Sequence, residues 1–148
     1  MKKLVLLLGL SFSLTANAQW SYQTVDDGFD EPYKISYTKE NNNCILKMEN
    51  IDGKIYFYLS GGYHCDKYPS VDLVFMVNNQ PKKYSIEGFV SEDKTLVFLS
   101  DDLFNDTIFQ DFKQCSILKI RINESSCTND IYTFSMTNSS SAYNFMIK

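Results

Sequence analysis

The sequence predicts an all-β fold: an antiparallel β-sandwich of about eight strands, with one amphipathic helix near 101–113 and a short closing helix. Three observations lead there. Short apolar runs that alternate with polar residues recur along the chain, separated by turn residues. One of these separators, Asp52-Gly53, is a strong hairpin signal, because glycine accepts the positive φ of a tight turn. A single segment in the second half switches from a period of two to helical spacing.

In chain order, "CILKMEN" (Cys44 to Asn50) and "IYFYLS" (Ile55 to Ser60) flank the Asp52-Gly53 turn and form the predicted hairpin. "SVDLVFMVN" places Val71, Leu73, Phe75 and Val77 on one face. Val74 and Met76 share the other face with Asp72, so this strand is expected to be buried on much of both sides. "NNQPKK" turns the chain into "KYSIEGFV", and "TLVFLS" (Thr95 to Ser100) follows. In "SDDLFNDTIFQDFKQC", Phe104, Ile108, Phe109 and Phe112 fall on one helical face. Ser100, Asp101 and Asp102 supply an N-cap and negative charge at the start of this helix, drawn over Asp101 to Lys113. "SILKIRIN" and "IYTFSM" alternate again, and Ser139 to Met146 closes the chain as a short helix.

The N-terminus reads as a secretory signal of bacterial type. Lys2 and Lys3 precede an apolar run from Leu4 to Leu14, and Ala16-Asn17-Ala18 fits the small-x-small cleavage rule. The run is shorter than the roughly 20 residues that span a bilayer. Cleavage after Ala18 would leave residues 19–148 as one domain without a membrane span, in the periplasm or outside the cell. Loss of Lys2 and Lys3 takes the formal charge from −4 to −6. With Arg121 the sole arginine, that balance argues against nucleic acid as a partner. In a bacterial exported protein, the Asn-x-Ser/Thr matches at Asn105, Asn123 and Asn138 are not expected to carry glycans.

Four cysteines in an exported domain suggest two disulfides. The hairpin register puts Cys44 opposite about Gly61, so a Cys44–Cys65 bond would clip its open end. That leaves Cys115 with Cys127, against which the strands themselves argue. If residues 116–123 and 131–136 form a hairpin, Cys115 lies at the open end and Cys127 at the tip, more than about 20 Å apart. His64, the single histidine, adjoins Cys65, so a small thiol enzyme or hydrolase using His64 and Cys65 is the rival reading; it requires Cys65 to be a free thiol. No second ligand cluster at zinc-like spacing accompanies them, and no cofactor is predicted. "DDGFDEP" (Asp26 to Pro32) gathers carboxylates without the alternating pattern of a calcium loop, and a solvated turn is expected over a calcium- or glycan-binding module.

The chain is rich in aromatic residues, with ten tyrosines and eleven phenylalanines. Tyr56 and Tyr58 should face away from Ile55, Phe57 and Leu59, while Tyr63 and Tyr68 lie in the adjoining loop. Together they form the candidate contact surface for a protein of the envelope or exterior, since tyrosine offers rigid apolar area with a polar tip. The succession of Trp20, "DDGFDEPY", "CILKMEN", "VDLVFMVNNQP", the helix-containing "VSEDKTLVFLSDDLFNDTIFQDFKQCSILKIRI" and the closing Phe134–Ala142 segment resembles small exported bacterial proteins of the invasion-associated locus B family and the accessory proteins of type VI secretion loci. Asn138 stands where such proteins often have glycine. The resemblance implies a β-sandwich with no known catalytic site, and it offers no active residue to transfer.

Overall fold

The computed structural model describes residues 20–26, 28, 31–40, 44–99, 106–127 and 129–148. Its strands are β1 (Ser21–Val25), β2 (Tyr33–Lys39), β3 (Ile45–Ile51), β4 (Lys54–Ser60), β5 (Ser70–Val77), β6 (Gln80–Val90), β7 (Leu96–Leu99), β8 (Ile117–Asn123) and β9 (Asp130–Ser135). Helix α1 (Asp106–Gln114) lies between β7 and β8, and α2 (Ser139–Ile147) ends the chain. The fold is β-dominated, as the alternation predicts. The strands form one continuous antiparallel sheet in the order β1-β2-β3-β4-β7-β6-β5-β8-β9.

The turns follow from residues that tolerate positive φ. Asp52 (φ 52°) and Gly53 (φ 81°) close the β3–β4 hairpin, and Asn78 (φ 50°) and Asn79 (φ 61°) close β5–β6. Strand β6 serves two neighbours: Gln80 to Glu87 pair with β5, and Gly88 to Val90 pair with β7. At the changeover, a Cβ on Gly88 would stand 2.9 Å from Val97 Cγ1 and 3.0 Å from Val71 Cγ2. Glycine is what lets the β5 and β7 side chains meet over this strand.

Alternation then builds the core. Leu46, Met48, Phe57, Leu59, Val97 and Leu99 from the β1–β7 part join Val71, Leu73, Phe75, Leu118, Ile120, Ile122 and Phe134 from the rest in one buried cluster. Burying each such side chain contributes roughly 1.5–3 kcal/mol. Helix α1 adds Ile108 and Phe112, four residues apart, with Phe112 set against Phe57 at 5.3 Å between ring centroids. Of the predicted helix, residues 101–105 lie outside the described residues. Its last turn carries Lys113, favourable at a helix C-terminus. Helix α2 covers β2 and β3. Its Met146 and Ala142 are buried, and the buried Ser36 hydroxyl of β2 donates to the Ala142 carbonyl at 3.3 Å. Ser139 Oγ donates to the Phe112 carbonyl at 2.9 Å and locks α2 to α1. Among the described residues no helix is long and apolar enough to cross a membrane.

Candidate functional site

The tyrosine-bearing loop between β4 and β5 is held by its backbone. Gly61 (φ 122°) and Gly62 (φ 106°) turn the chain out of β4. The His64 N–H then donates to the Lys94 carbonyl at 3.0 Å, while the Lys67 and Pro69 carbonyls accept from Val90 and Gly88 at 2.9 and 2.8 Å. From the other side, Glu124 reaches in from the end of β8. Its Oε1 accepts the N–H groups of Cys65 (2.6 Å) and Asp66 (3.1 Å), and its Oε2 lies 3.4 Å from His64 Nδ1. The Asp66 carboxylate accepts from the backbone N–H and then the hydroxyl of Ser125, which hold it below the usual carboxylate range.

A disulfide joins Cys65 to Cys127, with the Cα atoms 5.9 Å apart. This corrects both expected pairings, Cys44–Cys65 and Cys115–Cys127. The reason is strand order. Strand β8 pairs with β5 so that Ser70 faces Asn123, and the residues preceding β5 therefore lie beside those following β8. The expected hairpins themselves form: Ile45 faces Ser60, which leads to Cys44 opposite Gly61, and β8 pairs with β9. Cys115 thus lies at the open end of the β8–β9 hairpin and Cys127 at its tip. Cys44 and Cys115 are buried free thiols, each pushed up to about 12 chiefly by burial. Cys65, bonded, has no thiolate, so the nucleophile reading of His64-Cys65 falls. The His64 side chain is wholly buried. Of the acidic turn near residue 28, Asp27, Phe29 and Asp30 lie outside the described residues, and Asp26 Oδ1 accepts the Gly28 N–H at 2.9 Å.

The predicted contact tyrosines divide. Tyr63 and Tyr68 are 62 % and 56 % exposed, and Tyr56 is half-buried. Tyr58 is buried, which corrects its place as free surface: its hydroxyl bonds the Glu49 carboxylate and its ring meets Phe98 edge-to-face at 5.0 Å. Yet Tyr58 points away from the core cluster, and it begins a row of aromatic side chains. Lys47, Tyr58, Phe98 and Phe89 are register partners across β3, β4, β7 and β6. Phe98 and Phe89 lie 6.0 Å apart, and Tyr68 stands 5.7 Å from Phe89. Lysines lie over these rings: Lys47 over Tyr58 (5.4 Å), Lys67 over Tyr68 and Phe89 (5.4 and 5.9 Å) and Lys94 over Tyr63 (5.5 Å). Sequence reasoning missed Phe89 and Phe98. The signal was present, since each stands between two residues of the inner face, Gly88 and Val90 or Val97 and Leu99.

No protein-family profile, curated protein or solved structure matches this chain.

Proposed function

We propose that this is an exported bacterial protein that binds rather than catalyses, and that it holds a protein partner of the cell envelope or exterior through Phe89 and Tyr68, the exposed end of the Tyr58–Phe98–Phe89–Tyr68 row, and the neighbouring Tyr63. The observation that carries the reading is the gradient along that row. Tyr58 is fixed and buried at one end, while Phe89 (40 %), Tyr68 and Tyr63 stand out at the other. Aromatic rings held at the surface by a disulfide and a set of backbone hydrogen bonds lose little conformational freedom on binding, which favours affinity.

Ring geometry favours a protein over a glycan. Successive planes along the row are inclined by 82°, 42° and 49°, and lysines lie over Tyr58, Phe89 and Tyr68. Tilted rings make poor platforms for consecutive sugars but suit the uneven apolar surface of a protein. Export draws support from the signal-like residues 1–18 and from the disulfide. The acidic balance supports a partner other than nucleic acid. The resemblance in layout to invasion-associated locus B and type VI accessory proteins, which implies no known catalytic site, supports binding over catalysis.

A photo-crosslinking residue at position 68, compared with one at the distant Lys82, tests the proposal on the intact protein exposed to an envelope fraction. A discrete protein adduct from position 68, lost when Tyr63→Ser and Phe89→Ser are combined in a folded variant, is the expected result. An adduct that survives those substitutions, or forms equally from position 82, would reject the aromatic row as the contact face.

A further inference from the structure

On the solvent side of β6, β5 and β8, strand register sorts the side chains into rows of different character. Lys83, Val74 and Lys119 are register partners and form one row. The row on one side of it holds Asp72 and Arg121, and the row on the other side is Pro81, Met76 and Ile117, wholly apolar. A solvent-open groove of about 510 Å³ lies over the lysine row and the Asp72–Arg121 row, within the ~300–1,000 Å³ typical of small-molecule sites. Leu73 and Ile120 lie beneath it, both fully buried in the core, so the strands that carry the groove are already fixed before a ligand arrives.

The charge of this groove runs against that of the chain. The whole sequence carries −4, yet among the described residues the groove sets Lys83, Lys119 and Arg121 against the single carboxylate of Asp72. Asp72 is engaged three times, accepting from Arg121, Asn123 and Ser85. Arg121 in turn gives both Nε and Nη2 to that carboxylate. Lys83 and Lys119 are left over. Both are exposed, and among the described residues neither forms an ion pair. Register explains why, since it sets Val74 opposite each of them and no carboxylate. Two strand spacings separate their Cα atoms by about 10 Å, so two ammonium groups on flexible four-carbon stems can close on one anion above Val74.

Next to that anion position the surface turns apolar. Val74 and Met76 are half-buried and Ile117 is exposed, and Met76 follows Val74 about 7 Å along the strand. We propose that this face binds a free single-chain carboxylate amphiphile of the fatty-acid class, its carboxylate between Lys83 and Lys119 and its hydrocarbon chain over Val74 towards Met76 and Ile117. A purely hydrophilic anion would leave the apolar row unused, and a cationic or neutral chain would leave the two lysines unmatched. A groove takes a single chain from solution, whereas the flat surface of a bilayer needs a protruding apolar ridge. The site does not rest on the aromatic row.

Methyl NMR of the intact, disulfide-bonded protein reads the site through Val74 and Met76. Decanoate, kept below its micellar concentration, would be compared with acetate, which has the charge alone, and with decyltrimethylammonium, which has the chain and the opposite charge. The expected result is a saturable shift of both methyl signals with decanoate, and an affinity at least about tenfold lower for either comparator. Lys83→Gln and Lys119→Gln combined should weaken decanoate binding about tenfold, the joint scale of two exposed ion pairs. Lys82→Gln should change nothing, because Lys82 is the register partner of Phe75 and takes the opposite face. All three lysines are exposed, so these variants should fold. Equal affinity for acetate would reduce the groove to a bare anion site, and equal affinity for decyltrimethylammonium would reduce it to an apolar patch; either overturns the proposal. Unchanged decanoate affinity in the combined Lys83→Gln, Lys119→Gln variant would overturn it as well. So would binding to phosphatidylglycerol vesicles without a saturable response to free decanoate, which would make this face a membrane-docking surface.

Discussion

At Gly88 the strand shared by both parts of the sheet has no room for a side chain. An alanine there would place its methyl within 3.0 Å of the branched carbons of Val97 and Val71, both fully buried. Neither valine can withdraw without disturbing the core, so Gly88→Ala should lower stability by about 1–3 kcal/mol in urea unfolding. A loss near zero would mean that the two strands can part at this point. On the solvent side of the same sheet, Asp72 shows a weaker effect of known sign. Its carboxylate accepts from Arg121, Asn123 (3.0 Å) and Ser85 (2.9 Å), and these hold its pKa below the ordinary value, Arg121 first. A depressed carboxyl pKa contributes stability above the unfolded value of about 3.9 and loses it as pH falls through the folded one. Melting Asp72→Asn and the parent side by side between about pH 2 and pH 6 should show the parent losing more at the acid end. The pair is largely exposed, so the difference should stay below about 1 kcal/mol.

Among the elements, the loop after β4 depends most on a distant part of the chain. The Cys65–Cys127 bond spans 62 residues of sequence, and closing so long a loop constrains the unfolded chain by about 4 kcal/mol. Replacing both cysteines with serine should therefore lower the urea midpoint clearly, whereas Cys44→Ala should cost far less. Peptide mapping under non-reducing conditions should yield a 65–127 crosslink, with Cys44 and Cys115 alkylated only after unfolding, because both are buried and stay protonated. A Cys44–Cys65 crosslink would contradict the loop arrangement. The sequence made each hairpin legible: Asp52-Gly53 fixes β3–β4, and the alternation of 117–123 and 131–135 fixes β8–β9. It did not make the disulfide legible. Periodicity says which face a side chain takes but not which strand lies alongside, and the bond depends on the pairing of β5 with β8 across some 40 intervening residues. The difficulty of joining Cys115 to Cys127 along one hairpin was physically sound, while the parity of four cysteines suggested a second bond that the structure lacks. The aromatic row hid for the same reason. Tyr58, Phe98 and Phe89 become neighbours only when β7 enters between β4 and β6.

At the scale of the whole molecule, the strand order places the start and end of the sheet farthest apart in hydrogen bonding, yet both reach one core. Trp20, just before β1, is 3 % exposed and stands edge-on to Phe112 of α1 at 6.0 Å. Phe134, on β9 at the other edge, is fully buried in the same cluster. If that cluster is the source of stability, the two edges cannot unfold separately, because exposing either opens the packing on which the other rests. Trp20 is the only tryptophan, so its fluorescence reports on one edge alone, whereas far-UV circular dichroism reports on the whole sheet. In urea the two signals should change at one midpoint. Phe134→Ala, made at the edge remote from Trp20, should move the Trp20 transition by about 3–5 kcal/mol, the cost of a large cavity in a packed core. Separate midpoints, or a Trp20 transition unmoved by Phe134→Ala, would show that β8 and β9 form a unit of their own. The loop between β4 and β5, which the disulfide ties to the β8–β9 tip, would then be free to open without the rest of the sheet.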